Sequence, residues 1–192
     1  MKHLKRKKVV LIGASTGGPG QIHKIIKSLP RLQSTSIVIA QHMADGFLES
    51  FMDRLEHHSL NNIELTKNNS ILNINTIYVC ENSISLIKDK SDLVFIENMR
   101  TKNSFNPDIN MIFNSFIPLC NEVKVLSVIL TGIGDDGVQA CVNLSKNGAR
   151  CITETSSSAI IDGMPNRARE LVPNIEIYDM QEIIKTISEF CE

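Results

Sequence analysis

The sequence lacks an excess of charge of either sign, since 20 Lys and Arg residues stand against 21 Asp and Glu residues. Nucleic-acid binding needs a concentrated basic face, and the most basic stretch here is the short run Lys5-Arg6-Lys7-Lys8. Because chain termini are usually exposed, we interpret this run as a solvated flank. We therefore expect no nucleic-acid partner.

Long apolar runs are also absent, which argues against a transmembrane helix, and the first ten residues lack the apolar core of a signal peptide. The five cysteines form no C-x-x-C pair, are odd in number and lie within or beside apolar runs, as is typical of reduced residues in a cytoplasmic protein. They are Cys80, Cys120, Cys141, Cys151 and Cys191. No cluster of metal ligands is apparent, so the sequence predicts neither a metal nor another cofactor.

The length of 192 residues suits a single domain over 1–192. Short runs rich in β-branched residues alternate with longer segments of helical periodicity, which is typical of an α/β domain. The predicted strands are 9–12, 37–40, 77–80, 93–96, 125–130 and 150–153. The run 127–130 is almost entirely apolar, as expected of a strand buried on both faces. We therefore predict a three-layer, doubly wound, mostly parallel sheet with helices on both faces.

Two helices are predicted from apolar spacing, and two polar segments are predicted to be loops. Ile22, Ile25, Ile26 and Leu29 share one face of a helix over 20–29. Phe47, Phe51, Met52 and Leu55 repeat the arrangement after the second strand. The segment 61–75 is rich in Asn, and the segment 98–106 is polar and lacks periodicity, so we expect loops in both.

A glycine-rich segment at 13–20 follows the first predicted strand and contains the pattern G-x-S-x-G around Ser15. Ligands of open α/β sheets bind beyond the carboxyl ends of the strands. Glycines permit a tight turn that exposes the serine hydroxyl, and the following helix directs N–H groups, including that of Thr16, at a developing oxyanion. Alternatively, Ser15 caps the helix or the turn binds a dinucleotide, although G-x-G-x-x-G is absent and Gln41-His42 stand where a ribose-binding acid is expected.

Two further polar insertions follow predicted strands. His42, in Gln41-His42-Met43, would face the crevice and could take the proton from Ser15. After the most apolar strand come Asp135 and Asp136, of which one could hold the imidazole and the other could cap a helix over 138–144. Composition does not choose between them. Ser, His and Asp thus follow three strands, in an order that differs from that of the α/β-hydrolases.

At these positions the chain resembles CheB, the chemotaxis protein-glutamate methylesterase family, in its catalytic domain. The resemblance covers about residues 9–170 and is carried by four motifs in the same order. They are I-G-A-S-T-G-G-P at 12–19, Q-H-M at 41–43 followed by Gly46-Phe47, L-T-G-I-G-D-D-G at 130–137, and G-M-P at 163–165.

The resemblance implies roles for individual residues. It implies Ser15 as the nucleophile, His42 as the base and Asp136 as the aspartate, which leaves Asp135 at a variable position. It also implies an oxyanion site to which the backbone N–H of Ile133 contributes, although the family usually has Met at that position.

The function implied by the resemblance is hydrolysis of glutamate γ-methyl esters on the cytoplasmic helices of methyl-accepting chemoreceptors, with deamidation of receptor glutamine. The products are glutamate and methanol, no cofactor is needed, and contact with the membrane is only through the receptor. We expect a cytoplasmic monomer. Because the family's usual N-terminal receiver domain is not found in this sequence, we also expect constitutive activity.

Two segments depart from the family pattern. Ala44-Asp45 replaces a Pro-rich stretch, and 81–85 replaces A-P-G with a histidine. We expect these rim positions to touch the substrate helix and to alter partner preference. Two other functions stay open from the sequence, namely a non-catalytic receptor-binding module and a nucleotide-binding α/β protein.

Overall fold

A computed structural model describes residues 7–44, 46–98 and 106–192. Seven parallel strands form the central sheet in the order β3-β4-β2-β1-β7-β8-β9. They are β1 (Lys8–Ala14), β2 (Thr35–Gln41), β3 (Asn62–Leu65), β4 (Thr76–Val79), β7 (Lys124–Ile129), β8 (Arg150–Glu154) and β9 (Glu176–Tyr178). The remaining two, β5 (Ile84–Asp89) and β6 (Asp92–Glu97), form a separate antiparallel hairpin.

Helices cover both faces of the central sheet. One face carries α1 (Gly18–Ser28), α2 (Leu48–His58) and α6 (Met180–Cys191). The other carries α3 (Ile109–Asn114), α4 (Val138–Lys146), α5 (Met164–Leu171) and the hairpin. A short 3-10 helix, Ile117–Leu119, follows α3. The predicted three-layer α/β architecture is therefore confirmed. Among the described residues, no helix has the length and apolar character needed to cross a membrane.

The burial of the central strands explains why they appear as apolar runs in the sequence. In β1, Val9 and Leu11 pack into the core on one face, whereas Val10 and Ile12 pack into the core on the other. Successive side chains of a strand point to opposite faces, so a sheet covered on both sides requires apolar residues at every position.

Five of the six predicted strands fall within or overlap strands of the central sheet, namely β1, β2, β4, β7 and β8. The sixth, 93–96, lies in β6 and belongs to the hairpin instead. The prediction of a loop over 61–75 is wrong at its start, because 62–65 form the edge strand β3. Only Ile63 of this strand is buried, which explains why its sequence resembles a polar loop. Of the other predicted loop, 99–105 lie outside the described residues.

The helix predictions are correct in position but differ in detail. The helix predicted over 20–29 begins two residues earlier, at Gly18, with Pro19 in its first turn. Phe51, Met52 and Leu55 lie on the buried face of α2 as expected. Phe47 does not, because it precedes the helix and is 63% exposed.

Candidate active site

The candidate site lies where the strand order reverses, at the carboxyl ends of three adjacent strands. The chain passes from β1 to β2 on one side, and β7 pairs with β1 on the other. Such a reversal leaves a crevice in doubly wound sheets. Backbone bonds tie the three loops together, since Ser15 N–H donates to Thr131 O at 3.0 Å and His42 N–H donates to Ala14 O at 3.0 Å.

Ser15 occupies a tight turn between β1 and α1. Its carbonyl oxygen accepts bonds from Gly18 N–H and from Gln41 Nε2, both at 2.9 Å. The N-cap of α1 is Gly17, with a φ of 87° and no side-chain capping bond, so Ser15 does not cap this helix. The Ser15 side chain instead lines a cleft of about 340 Å³, to which His42, Phe47 and Arg54 also contribute.

Close packing beside Ser15 depends on Gly132. A Cβ atom at this position would lie 2.7 Å from Ser15 Cβ and 2.3 Å from Met164 Sδ. The Met164 N–H donates to Gly132 O at 2.8 Å, so the G-M-P motif packs directly against the loop after β7. The four sequence motifs therefore meet at one place in the fold.

His42 and Asp136 form a short hydrogen bond, with 2.8 Å between His42 Nε2 and Asp136 Oδ2. Both side chains are shielded, with exposed fractions of 13% and 4%. Asp136 also accepts two backbone bonds from the start of α3. Ile109 N–H donates to Oδ2 at 2.9 Å, and Asn110 N–H donates to Oδ1 at 3.0 Å.

These bonds determine the charge of Asp136. Burial alone would raise the pKa of this carboxyl, but the bonds from His42, Ile109 N–H and Asn110 N–H outweigh burial, and the pKa is lowered. A carboxylate only accepts hydrogen bonds, so His42 Nε2 carries the proton in this pair. In the neutral form of the ring, the lone pair would then reside on Nδ1.

Asp135 lies outside this arrangement. Its side chain is exposed, and its backbone carbonyl accepts the N–H of Val138 at 3.1 Å. The expectation that one of the two aspartates caps the helix after 137 is wrong, because the N-cap of α4 is Gly137 and no side chain caps it. Asp136 instead accepts bonds from the first turn of α3.

Thr16 and Ile133 lie on the two loops that meet at Ser15. Thr16 is exposed, and its carbonyl accepts a bond from Thr131 Oγ1 at 2.9 Å. Ile133 is 66% exposed and precedes Gly134, which has a φ of 85°. Within the described parts of the chain, neither backbone N–H has a protein acceptor. Thr16 also lines the cleft at Ser15, so its N–H is able to donate to a ligand there.

The start of α3 is the part of the site that sequence reasoning missed. The signal was present, because Asp108 precedes the apolar residues of α3 and caps the helix by accepting Met111 N–H at 2.7 Å. Asp108 N–H in turn donates to Ser83 Oγ at 2.8 Å. Ser83 and Ile84 are buried, so the expectation that 81–85 lies at the rim is wrong for these two residues. Asp45, in the other departing segment, lies outside the described residues.

A larger cavity, of about 640 Å³, lies between α2 and β3. Its described lining is acidic and apolar and includes Glu49, Asp53, Glu56 and Glu64, without a serine, cysteine or histidine. The chemistry therefore points to the smaller cleft at Ser15. No group of three or more His, Cys, Asp or Glu residues in the described ranges is arranged to hold a metal ion.

Residues 10–187 match the family described as CheB methylesterase. The chain belongs to this family. It is 31% identical over 188 residues to the protein-glutamate methylesterase/protein-glutamine glutaminase 2 of Carboxydothermus hydrogenoformans, with 95% of this chain and 53% of that protein covered. It is 32% identical over 186 residues to the protein-glutamate methylesterase/protein-glutamine glutaminase of Bacillus subtilis, with 95% and 52% covered. The chain spans about half the length of these relatives.

The fold is also similar to a solved structure of a CheB methylesterase domain. The crystal structure of the Thermotoga maritima CheB methylesterase catalytic domain aligns with a TM-score of 0.87 and 25% sequence identity. The alignment covers 95% of this chain and 98% of that one. The resemblance seen in the sequence is therefore confirmed, and the chain corresponds to the catalytic domain of the family.

Proposed function

We propose that this chain hydrolyses γ-methyl esters of glutamate side chains in a protein substrate, with Ser15 as the nucleophile. In this proposal His42 is the general base and Asp136 holds His42. The observation that carries the proposal is the 2.8 Å bond between His42 and the buried Asp136, at a cleft lined by Ser15. A serine beside a histidine that a carboxylate orients is the arrangement that acyl transfer requires.

The proposed mechanism uses the lone pair on His42 Nδ1 and the negative charge of Asp136. Ser15 Oγ attacks the ester carbonyl while its proton passes to His42 Nδ1, and Asp136 stabilises the imidazolium at Nε2. The N–H groups of Thr16 and Ile133 donate to the oxyanion, each worth roughly 3–4 kcal/mol in comparable sites. The imidazolium then protonates the departing methoxide, which leaves as methanol. Water, deprotonated by His42, hydrolyses the acyl-enzyme and releases the glutamate side chain.

The proposed substrates are the cytoplasmic helices of methyl-accepting chemoreceptors. The names of the relatives support glutamate esters and glutamine amides of proteins as the class of substrate. An amide passes through a similar tetrahedral intermediate, so we include deamidation with ammonia as the leaving group. Phe47, Ile133 and Ile160 are each more than half exposed on the loops after β2, β7 and β8, and they offer an apolar surface to a helix. A cytoplasmic location and a monomeric state stay predictions.

The test is release of methanol from methylated receptor membranes by the native chain and by Ser15→Ala. We expect the variant to lose at least about 10³-fold in rate, because the nucleophile is gone. Ser28→Ala is the matched control, since Ser28 is an exposed serine at the far end of α1 whose hydroxyl donates to Lys24 O. Methanol release by Ser15→Ala at the native rate would remove Ser15 as the nucleophile.

Covalent labelling separates an esterase from the two alternative functions. A serine-directed phosphonate should modify Ser15 in the native chain and leave His42→Ala almost unmodified, because the base activates the hydroxyl. A receptor-binding module should show no labelling, and a nucleotide-binding protein should instead gain thermal stability with NAD(P).

A further inference from the structure

A second carboxyl group, Glu154, lies in the core beneath the Ser15 turn. It is the last residue of β8 and is fully buried. Its Oε2 accepts Thr131 N–H at 2.7 Å, and its Oε1 accepts Gln21 Nε2 at 2.7 Å and Ser158 Oγ at 3.0 Å. A buried carboxyl is costly for the fold unless its hydrogen bonds are made. The burial of the Glu154 carboxyl therefore needs an explanation.

Pairing with an opposite charge does not explain why this carboxyl is buried. Arg169 is nearby, but its Nη1 donates to the backbone oxygen of Glu154 at 2.7 Å and its Nη2 donates to Asp162 Oδ2 at 2.6 Å. Among the residues that the structure describes, no Lys, Arg or His side chain bonds the carboxyl of Glu154. All three groups that do are uncharged donors.

Thr131 connects this carboxyl to the candidate nucleophile. Its N–H is held by Glu154, its carbonyl oxygen accepts Ser15 N–H at 3.0 Å, and its Oγ1 donates to Thr16 O at 2.9 Å. Thr131 thus bonds the peptide group before Ser15 and the peptide group after Thr16. Gln21 and Ser158 link the same carboxyl to α1 and to the loop after β8.

We propose that Glu154 is a positioning residue for Ser15, which acts through Thr131 to fix the turn that presents Ser15 Oγ and the N–H of Thr16. The proposal rests on the proposed function in taking Ser15 as the nucleophile. In this role Glu154 supplies hydrogen-bond acceptors, because three donors from three segments of the chain converge on its carboxyl group. Removal of the acceptors would free the Thr131 peptide and allow the serine turn to shift.

An amide at this position should be able to replace the carboxyl. Gln21 Oε1 is buried, and it has no hydrogen-bond partner among the residues that the structure describes. A half-turn of the Gln21 amide would present this oxygen to the NH₂ group of Glu154→Gln, while the amide oxygen of the variant accepts Thr131 N–H. Glu154→Leu offers neither group. The pair of variants therefore separates the hydrogen bonds from mere occupation of the space.

The matched control is Tyr78→Phe. The Tyr78 side chain is buried, and its oxygen accepts the backbone N–H of Asn73 at 3.0 Å. Its ring packs against Phe95 of β6, away from the candidate site. Like Glu154→Leu, this change leaves a backbone N–H without its acceptor, and it reports what loss of stability alone does to the reaction.

The experiment measures two quantities in each variant at a temperature where all are folded. One is the rate at which a fluorophosphonate labels Ser15, and the other is the hydrogen-exchange protection of the Ser15 and Thr131 amides. For Glu154→Leu we expect labelling about 10- to 100-fold slower and loss of protection at both amides. Glu154→Gln should stay within about threefold of the native rate, and Tyr78→Phe should label as the native chain does.

Three outcomes would overturn the inference. They are native labelling and protection in Glu154→Leu, equal slowing in Tyr78→Phe, and a Glu154→Gln variant as slow as Glu154→Leu. If Glu154→Leu does not fold, Thr131→Val tests the bond from Thr131 Oγ1 to Thr16 O, and labelling at the native rate there would reject the role of Thr131 in holding Thr16. A native chain that is never labelled would reject the proposed function instead, and the exchange data would then decide the positioning role alone.

Discussion

Asp136 and Glu154 are both buried carboxyl groups of the same site, yet the pKa of Asp136 is lowered and that of Glu154 is raised. Burial raises both. At Asp136, the bonds from His42 and from two N–H groups at the start of α3 outweigh burial. At Glu154, the bonds from Thr131 N–H, Ser158 and Gln21 offset only part of the effect of burial.

Under the proposed roles, the difference divides the site into a base side and a nucleophile side. The base side, His42 with Asp136 and the start of α3, keeps a negative charge that would stabilise an imidazolium in the proposed mechanism. The nucleophile side, Ser15 with Thr131 and Glu154, is built from neutral donors and needs acceptors rather than charge. Loss of a carboxylate charge should therefore lower the reaction rate strongly on the base side and only slightly on the nucleophile side.

The largest expected effect is that of Asp136→Asn on the base side. An amide can donate to His42 Nε2, which would shift the ring proton to Nδ1 and remove the lone pair that takes the Ser15 proton in the proposed mechanism. We expect the turnover rate to fall by about 10³- to 10⁴-fold, as is typical when such an aspartate loses its charge. Methanol release and phosphonate labelling of Ser15 both measure this loss.

The control for that change is Asp135→Asn, which removes the same charge from the neighbouring exposed position. We expect its activity to stay close to that of the native chain. Equal losses in the two variants would mean that the charge of the loop matters rather than the bond to His42, and the division into two sides would lose its basis.

An intermediate effect is expected from Gly132→Ala on the nucleophile side. The new Cβ would lie 2.7 Å from Ser15 Cβ and 2.3 Å from Met164 Sδ, so the Ser15 turn or the loop at Gly132 must shift. A displacement of about 1 Å at a reacting group can cost about 10²-fold in rate, and the overpacking should cost about 1–3 kcal/mol in the free energy of unfolding. Kinetics of methanol release and urea unfolding measure the two losses.

Gly20→Ala provides the comparison for that variant. It adds the same methyl group in α1, where no atom of the described part of the chain lies within 4 Å of the new Cβ. We expect native activity and a gain of about 0.5–1 kcal/mol in stability, because Ala is the better helix former. An active Gly132→Ala variant would show that the serine turn tolerates displacement.

The fold could be read from the sequence wherever a strand is buried on both faces. The strands β1, β2 and β7 are recognisable as apolar runs because their side chains pack into a hydrophobic core on each face of the sheet. β3 could not be read in this way, since it lies at the sheet edge and buries only Ile63. The hairpin strand β6 was recognised as a strand, but no local pattern says which sheet a strand joins.

The position of the three proposed catalytic residues in the fold could be predicted from the sequence, but the residues that hold them in place could not. Ser15, His42 and Asp136 each follow a strand, so strand positions alone bring them to one edge. The bonds from Ile109 and Asn110 to Asp136, and from Thr131 to Glu154, join residues 23 to 27 positions apart in the chain. Such contacts depend on how helices and loops pack, which no spacing pattern encodes.

The smallest expected effect is the pH dependence of stability, and it distinguishes the two carboxyls by sign. The folded state lowers the pKa of Asp136, so this group stabilises the fold above its unfolded pKa, and the contribution is lost as the pH falls through the folded value. The folded state raises the pKa of Glu154, so its contribution is present below the unfolded pKa and is lost as the pH rises through the folded value.

Urea unfolding from about pH 3 to pH 7 should therefore show a shallower acid-side loss of stability in Asp136→Asn than in the native chain. Glu154→Gln should show a steeper rise of stability with pH, because it lacks the opposing loss. Changes of the same sign in both variants would mean that the two sides of the site do not differ in the charge they hold.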